Sequence, residues 1–426
     1  MPEKLALFGG EKLITTSMKR SNSIGEEEIN AAKDVVESGV LSRFLGCWDP
    51  DFYGGPKVQE FEQNCKDYFN VKHAITVNSW TSGLIAAVGA IGIEPGDEVI
   101  VSPWTMSASA TAILHWNAIP VFADIEPETF CIDPVSVEAN ISSYTKAIMA
   151  VDIFGHSSNM DALNEIARKH NLKIITDTAQ APGAIYKGKY AGTLSDVGGY
   201  SLNYHKHIHT GEGGVLVTDD DEIAEHLQLI RNHAEAVVGG KGIKDISNMI
   251  GYNFRLGEIE SAIGIEQLKK LKDIVISRQG VVEKLNQGLK NLSGFQLPVI
   301  MPDCTHVYYT YPIVLEIDNI SVSRDRIHAA LVAEGVPVSK GYQNIHLLPM
   351  YQQKIAYGKS GFPWSSDICK REISYEKGIC PVAENLNEQS FLGLDMCMYE
   401  YNDEDIELII KAFKKIWYNM DMLNSK

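Results

Sequence analysis

One lysine stands in a setting that could make its amine reactive. Lys206 lies between Ser201 and the glycine-rich stretch 211–214 (Gly-Glu-Gly-Gly). A lysine withdrawn from water has a lowered pKa, because burial disfavours the charged form, and its neutral amine can attack a carbonyl carbon to form an imine. Lysines are mostly solvated surface residues, however. Lys206 therefore needs the support of other groups before this chemistry can be assigned to it.

Two further polar stretches follow apolar runs. Ser79, Thr81 and Ser82 stand in N-S-W-T-S-G (78–83) before an apolar helical stretch, where hydroxyls and free backbone N–H groups could bind a phosphate. The serine or threonine could equally be an ordinary helix N-cap. Asp177 closes the run KIITD, and its carboxylate could hold a protonated pyridine nitrogen, bind a metal or serve a turn.

The elements that must position these residues alternate along the chain. Short runs rich in β-branched residues predict strands at 73–78, 98–103, 120–125, 146–155, 173–177 and 213–219. Helical stretches separate these runs, and fully apolar strands of this kind are typical of a mostly parallel sheet covered on both faces. Ligands of such sheets bind beyond the carboxyl ends of the strands, which is where Ser79 and Asp177 stand. We predict an α/β fold.

Helical patterns flank this region. One helix is predicted from about residue 26 to a stop at Gly39, and a second starts at Pro56. Between about 256 and 292 the pattern becomes helical and charged, and shorter mixed segments follow. A chain of 426 residues exceeds one simple core. We predict a large domain over 1–270, with the N-terminal segment, and a smaller α+β domain over 271–426 entered by a long helix.

Composition excludes several classes of function. The net charge of −17 disfavours binding to nucleic acid or to an anionic membrane, since both need clustered Lys and Arg. The seven cysteines are scattered and form no CxxC pair, so neither a disulfide framework nor a zinc knuckle is indicated. The N-terminus lacks a secretory signal pattern, and no unbroken apolar stretch reaches the ~18 residues of a membrane span. We expect a soluble cytoplasmic protein without a bound metal.

Together these motifs resemble the sugar aminotransferases of the DegT/DnrJ/EryC1/StrS family, which are fold-type I enzymes that use pyridoxal 5′-phosphate (PLP). The family segment S-F-x-x-x-K-N-x-x-x-G-E-G-G aligns without a gap with Ser201, Lys206 and 211–214, and Lys206 lies five residues before Gly211 as the family lysine does. Further stretches that fit the family are 78–84, 103–109, 151–155, 177–183 and 251–263.

The resemblance implies a role for each matching residue. Lys206 would form the Schiff base with PLP and move protons, Asp177 would pair with the pyridine nitrogen, and Gln180 would lie near the ring and its 3-hydroxyl. The other cofactor contacts that the resemblance implies are Ser79, Thr81, Ser82, Ser201 and Asn203, with Asn253 and Arg255 from the neighbouring subunit. A homodimer with shared active sites follows from that last contribution.

The chain departs from the family pattern at two positions. Trp80 stands where many relatives have glycine in the phosphate turn, so that hydroxyl contacts could carry more of the phosphate binding. Met106 stands where relatives usually have an aromatic residue that stacks on the pyridine ring. A polarizable thioether can pack against a ring, and Trp104 is the alternative stacking residue.

The family reaction is a two-step transamination through pyridoxamine 5′-phosphate. The implied donor is L-glutamate or L-glutamine, and the implied acceptor is a nucleotide-linked keto-deoxysugar of a surface polysaccharide or an antibiotic. The start L-A-L-F-G-G (5–10) is similar to relatives that aminate free keto-cyclitols of the scyllo-inosose type, which stays an alternative acceptor class. The residues that we single out as substrate contacts are Arg43, Tyr309, Lys340 and His346.

Three other readings of the sequence were weighed. Some relatives carry histidine in place of the lysine and act as sugar 3-dehydratases, but the count to Gly211 puts Lys206 and not a neighbouring histidine at that position. A zinc site is the second reading, because alternate residues of a strand share a face and His205, His207 and His209 alternate in this way. Lys206 stands between two of them, which weakens this reading. A PLP-binding regulator of DNA would need a basic helix-turn-helix, and no spare segment remains for one.

Overall fold

The computed structural model describes residues 3–424, so the outermost residues 1–2 and 425–426 of the two predicted domains lie outside the described part. A seven-stranded sheet has the strand order β1-β9-β8-β5-β4-β2-β3. Its strands are β1 (His73–Val77), β2 (Glu98–Val101), β3 (Ile119–Phe122), β4 (Thr145–Val151), β5 (Lys173–Asp177), β8 (Val197–Ser201) and β9 (Gly214–Thr218). A separate two-stranded ribbon consists of β6 (Ile185–Tyr186) and β7 (Lys189–Tyr190).

Six of the seven strands run in one direction. The pairs β2–β3, β2–β4, β4–β5 and β5–β8 are parallel, whereas β9 is antiparallel to both β8 and β1. The predicted mostly parallel sheet and α/β class are confirmed. The sequence prediction missed β8, whose Val197–Ser201 run contains two adjacent glycines.

Helices cover the sheet and continue into the C-terminal part. They are α1 (Glu26–Ser38), α2 (Pro56–Phe69), α3 (Trp80–Ala90), α4 (Ala108–His115), α5 (Pro134–Asn140), α6 (Met160–His170), α7 (Asp221–Arg231), α8 (Ala234–Lys241), α9 (Glu258–Leu289), α10 (Arg324–Glu334), α11 (Pro349–Gln352), α12 (Pro381–Asn385), α13 (Asp403–Trp417) and α14 (Met420–Asn424). The helix α1 ends at Gly39, whose φ of 72° suits glycine, as predicted. Within residues 3–424, no helix is long and apolar enough to cross a membrane.

The C-terminal part has its own sheet and core. Four antiparallel strands in the order β10-β11-β13-β12 form this sheet: β10 (Phe295–Gln296), β11 (Thr310–Leu315), β12 (Val338–Ser339) and β13 (Phe391–Asp395). The N-terminal residues Leu5 and Ile14 belong to the same hydrophobic cluster as Leu289 and Phe413. The N-terminal segment therefore packs on the C-terminal core. The boundary predicted at residue 270 falls inside α9 and stays a prediction.

Residues 345–391 return to the large sheet and cover its edge. β3 is an edge strand, and an uncovered edge presents unpaired backbone groups to other chains. The Tyr375 hydroxyl donates a hydrogen bond to the Pro120 carbonyl in β3 (2.7 Å). Arg371 donates to both carboxylate oxygens of Glu98 at the start of β2 (2.6 and 2.9 Å). This segment thereby connects the chain after β12 to the edge of the large sheet.

The glycines of β8 generate a prediction about stability. A Cβ atom at Gly198 would lie 2.1 Å from the Gly192 carbonyl oxygen, and backbone cannot yield as a flexible side chain can. Gly198→Ala should lower the free energy of unfolding by about 1–3 kcal/mol. Gly280→Ala in α9 is the matched control, since a Cβ there meets nothing within 4 Å, and it should raise stability by up to ~1 kcal/mol. Thermal or urea unfolding with equal losses in both variants would contradict this account.

Candidate active site

Strand ends bring the predicted cofactor residues to one edge of the large sheet. β1 ends just before Ser79, β5 ends at Asp177, and β8 ends at Ser201. Since these three strands share one direction, their carboxyl ends meet at the same edge. Loop 202–213, which carries Lys206, joins β8 to the antiparallel β9 and so emerges there too. The structure thus places the lysine, the carboxylate and the phosphate turn around one space.

Lys206 has a lowered pKa because its amine is withdrawn from water. Desolvation lowers the pKa of Lys206 from 10.5 to about 8, and the nearby Cys397, Asp177 and Asp395 raise it by less. Its Nζ lies 4.4 Å from the centroid of the Tyr309 ring, within the range at which a cation is attracted to an aromatic face. A large fraction of this amine is neutral near pH 8. Lys206 can therefore act as a nucleophile, as the sequence predicts.

The loop around Lys206 is fixed by its own turn. The Lys206 N–H donates to the Asn203 carbonyl (2.9 Å), and the Asn203 side-chain amide donates to both carboxylate oxygens of Glu212 (2.9 Å each). Gly211 and Gly213 have φ values of 87° and 155°, where side chains are strained. The G-E-G-G pattern is thus a backbone requirement of the turn. Among the described residues, the Asn203 Oδ1 atom is buried without a hydrogen-bond partner.

Asp177 is buried and receives two short hydrogen bonds. The Trp80 indole Nε1–H donates to Oδ1 (2.6 Å), and the Ser109 hydroxyl donates to Oδ2 (2.7 Å). Both donors are themselves buried. Hydrogen bonds to a carboxylate are among the strong ones. The sequence predicts Asp177 but neither donor; Ser109 lies at the end of the matching stretch 103–109, and Trp80 is noted only as a departure.

The phosphate turn begins α3. Ser79 is the N-cap of this helix: its Oγ accepts the N–H of Ser82 (3.0 Å) and lies 2.9 Å from the Ser82 hydroxyl. Thr81 is exposed. A helix start has four N–H groups without an intrahelical acceptor, and this cap uses only one. The capping role of Ser79 is therefore compatible with phosphate binding by the remaining groups.

Residues 253–255 lie against this turn. The Asn78 N–H donates to the Phe254 carbonyl (2.8 Å), and the Asn78 side-chain amide donates to the Asn253 carbonyl (3.2 Å). The Asn253 side chain is exposed. Burial, and then the neighbouring Arg231, lowers the pKa of Arg255, whose Nε has no hydrogen-bond partner among residues 3–424. Both residues thus lie near the phosphate turn of their own chain, whereas the resemblance implies them for the turn of the neighbouring subunit. Their contribution to a partner's site stays a prediction.

Gln180 begins a polar chain that reaches Lys206. Its Oε1 accepts the Phe154 N–H (2.9 Å), and its Nε2 donates to the Tyr342 hydroxyl (3.1 Å). The Tyr342 hydroxyl is also hydrogen bonded to that of Tyr309, the ring beneath Lys206. Burial raises the pKa of Tyr309, so its hydroxyl stays protonated. Tyr309, predicted as a substrate contact, therefore lies in the site next to the lysine.

The two candidates for ring stacking have opposite surroundings. Trp104 is fully buried, with its ring packed edge-on against Phe130, Phe154 and Phe391. Its Nε1–H donates to the Tyr342 carbonyl (2.5 Å). Met106 is 57% exposed. Trp104 therefore has no free face for a cofactor, whereas Met106 does.

Two cationic side chains that are predicted to contact the substrate form ion pairs at the surface. Arg43 donates to Asp51 from Nε and Nη2 (3.2 and 3.0 Å), and the Lys340 Nζ lies 3.0 Å from Asp325. Such exposed pairs contribute about 0–1 kcal/mol, so a ligand can displace them. Within residues 3–424, neither cation is hydrogen bonded or ion-paired to the residues that surround Lys206. Both assignments stay predictions.

His346 is misplaced by the sequence prediction. The side chain is fully buried, its Nε2 pairs with Glu384 (2.9 Å), and its ring packs beside Phe122. Burial lowers its pKa. No substrate can reach an imidazole enclosed in the core, so His346 has a structural role in joining residues 345–391 to the large sheet.

The histidines beside Lys206 do not form a metal site. His207 is buried and its Nε2 donates to the Val307 carbonyl (2.8 Å). Desolvation, and then the adjacent Lys206, lowers the pKa of His205 to about 4. In the part of the chain that the structure describes, no three His, Cys, Asp or Glu side chains are grouped as a metal would require.

Comparison with known proteins identifies this constellation. The profile of the DegT/DnrJ/EryC1/StrS aminotransferase family matches residues 22–387. The chain belongs to this family. The predicted enzyme class, a PLP-dependent sugar aminotransferase, is thereby confirmed.

Individual relatives support the assignment. GDP-perosamine synthase from Caulobacter vibrioides is 37% identical over 330 residues, which cover 76% of this chain and 86% of that protein. A protein named as an L-glutamine:3-amino-2,3-dideoxy-scyllo-inosose aminotransferase from Streptoalloteichus tenebrarius is 31% identical over 99% of this chain and 100% of its own length. The S. venezuelae DesV structure in complex with a ketimine intermediate has a TM-score of 0.77 at 30% identity, covering 92% of this chain and 94% of that one.

The lowered pKa of Lys206 predicts selective modification. Competitive acylation of the apoprotein, read by peptide mass spectrometry, should give half-maximal labelling of Lys206 near pH 8, because the amine reacts only when neutral. The exposed Lys244 in the same sample is the internal reference. A Lys206 midpoint near its ordinary value of 10.5 would refute the desolvated setting.

Proposed function

We propose that this aminotransferase moves an amino group from L-glutamate or L-glutamine to a keto-sugar, with PLP held at the edge of the large sheet and pyridoxamine 5′-phosphate present between the two half-reactions. The observation that carries the proposal is the amine of Lys206, whose pKa is lowered to about 8, at the same strand ends as the buried Asp177. A solvated surface lysine would not have a lowered pKa, and an aspartate that served only a surface turn would not be buried.

The residues at this edge fit the cofactor. PLP supplies an aldehyde that captures an amine and a ring that withdraws electrons when its nitrogen is protonated. Asp177 is buried, and its carboxylate has an acceptor site left beyond those that Trp80, Ser109 and the Ala179 N–H occupy. The unused N–H groups of α3, with Ser82 and Thr81, provide donors for a phosphate. We propose that the phosphate-binding end of the site is completed by Ser201, Asn203, Asn253 and Arg255.

Lys206 is the proposed proton carrier of both half-reactions. In the first half-reaction its Nζ would take the proton from the donor carbon that bears the amine and pass it to the bound cofactor. In the second it would move a proton back from the cofactor to the sugar carbon that receives the amine. The amine is neutral often enough near pH 8 to accept a proton and charged often enough to return one. Tyr309 holds the Nζ from below while Lys206 is free.

A nucleotide-linked keto-deoxysugar is the first proposed acceptor. The 37% identity to GDP-perosamine synthase from Caulobacter vibrioides supports it, as does the 34% identity to the spore coat polysaccharide biosynthesis protein SpsC of Bacillus subtilis. The name of SpsC supports a product used in surface polysaccharide biosynthesis, and antibiotic sugar biosynthesis is the other proposed pathway. Arg43 and Lys340 are the cations available for a pyrophosphate, once released from Asp51 and Asp325.

A free keto-cyclitol is the second proposed acceptor. The aminotransferases named for an amino-dideoxy-scyllo-inosose match 99–100% of this chain, whereas the perosamine synthases match 76–84% of it. The shared length includes the N-terminal segment that packs on the C-terminal core. A free cyclitol also needs no cation for a pyrophosphate.

We also propose a homodimer in which each subunit completes the other's site. The proposed interface consists of exposed apolar side chains on the stretch between α1 and α2 and on the stretch after α8. They are Leu41, Leu45, Trp48, Ile246 and Ile250, each 44–64% exposed, and we call them the apolar surface. Trp48 lies beside α8, since the Lys241 Nζ is 5.1 Å from its ring centroid. Asn232 links this surface to the phosphate turn, since its amide donates to the Leu45 carbonyl (2.8 Å) and its backbone pairs with Asn253. Exposed apolar patches of this kind mark protein interfaces.

A cytoplasmic location is proposed on the cysteines. All seven are free thiols, and four of them are buried. Free thiols persist where the compartment is reducing.

A half-reaction screen tests the function. Pyridoxamine-loaded protein is mixed with keto-sugar nucleotides and with free keto-cyclitols, and the return of the PLP absorbance reports the acceptor. Borohydride should fix a pyridoxyl group on Lys206 in the wild type. Lys206→Ala should lose turnover by about 10³-fold or more, because the proton carrier is gone.

Controls decide whether the loss is chemical. Lys187→Ala removes an exposed lysine that pairs with Asp161, and it should leave turnover unchanged. Circular dichroism should show that Lys206→Ala is folded. Full turnover by folded Lys206→Ala, or a wild type without a visible cofactor band, would remove the proposed function.

The apolar surface predicts a loss of dimer. Ile250→Glu should weaken self-association by about 10-fold or more, because a carboxylate must be desolvated at the interface. Val135→Glu is the control, since Val135 is 76% exposed on α5, outside this surface. Analytical ultracentrifugation that found equal dimer fractions in both variants would exclude this interface.

A further inference from the structure

Trp80 connects two ends of the proposed cofactor site. It is the first residue of α3, directly after the N-cap Ser79, and so belongs to the phosphate turn. Its indole Nε1–H reaches the Asp177 carboxylate at the end of β5 (2.6 Å). One side chain therefore joins the turn proposed for the phosphate to the carboxylate proposed for the ring nitrogen.

The neighbouring backbone leaves room for this indole. A Cβ at Gly199 in β8 would lie 2.5 Å from the Trp80 Cζ3 atom, and a Cβ at Gly83 would lie 2.9 Å from Cε3. A Cβ at Gly214 would lie 3.0 Å from the Trp80 Cα. Three glycines on three elements thus bound the residue closely. The indole is 94% buried, with a relative exposure of 6%, and has one packed position.

The second donor makes the arrangement two-sided. The Ser109 hydroxyl, which is fully buried in α4, donates to the other carboxylate oxygen (2.7 Å). The Ala179 N–H also donates to Oδ1, at 3.3 Å. With donors on both oxygens, the plane of the Asp177 carboxylate is fixed and its charge is compensated where water is scarce. A carboxylate has about four acceptor sites, so one remains for a further donor.

We propose that Trp80 is a positioning residue, which orients the Asp177 carboxylate towards the cofactor ring nitrogen and sets its distance from the phosphate turn. This inference rests on the proposed function. Trp80 does not itself touch the reacting atoms. Its contribution to cofactor binding passes through Asp177, so it depends on a nitrogen in the cofactor ring.

A variant and a cofactor analogue test this dependence together. Trp80→Phe removes the N–H donor and keeps a ring in the same space. PLP should bind this variant about tenfold more weakly than the wild type, the effect of one hydrogen bond to a charged group. 1-Deazapyridoxal 5′-phosphate, which lacks the ring nitrogen, should bind the variant and the wild type equally, within about twofold.

Trp116→Phe is the matched control. Trp116 is also buried, and its indole N–H donates to the Ile85 carbonyl (2.7 Å), away from Asp177. Its loss should change the affinity for neither cofactor. Ser109→Ala is the second variant if Trp80→Phe does not fold, and it should show the same selective loss for PLP.

The outcomes separate the two proposals. Equal weakening of PLP and the deaza analogue by Trp80→Phe would overturn the inference, because the indole would then act by packing alone. Unchanged PLP affinity in folded Trp80→Phe would overturn it as well, while the function of Lys206 stood. Failure of the wild type to bind PLP through Lys206 would instead remove the proposed function, and this inference with it.

Discussion

The burial of the Asp177 carboxylate constrains the whole edge of the large sheet. A charged group out of water must be hydrogen bonded, and its donors, Trp80 and Ser109, come from the helices that follow β1 and β2. Both helices must therefore approach the end of β5. The same carboxylate raises the pKa of Lys206 and so offsets part of the lowering that desolvation causes. Asp177 thus affects both the packing of the site and the charge of its amine.

Much of this fold could be predicted because its strands are locally distinct. Runs of β-branched residues give six strands of the large sheet, and Gly39 gives the end of α1. β8 could not be found in this way, because Gly198 and Gly199 weaken the strand pattern. Glycine is needed at these two positions because of contacts with other segments: Gly198 packs on the Gly192 backbone, and Gly199 packs on Trp80. Contacts between distant segments decide such positions.

The residues of the site likewise fall into those that local motifs predict and those that only tertiary contacts bring in. Lys206 and Asp177 stand in motifs that match the family pattern, so the resemblance predicts them. Their partners Ser109 and Tyr342 reach the site through tertiary contacts that spacing does not encode. His346 was predicted from its chemical type, and packing against the large sheet gives it another task. Residue type indicates what a side chain can do, and burial decides whether a ligand can meet it.

The hydrogen bond from His207 to the Val307 carbonyl affects how a substrate can enter the site. It joins the residue after Lys206 to the chain just before β11, so the lysine loop and the C-terminal sheet are fastened together beside the reacting amine. Opening a gap between them would break this bond and uncover a buried imidazole. A substrate that entered between the lysine loop and the C-terminal sheet would therefore have to break a buried hydrogen bond next to the reacting amine.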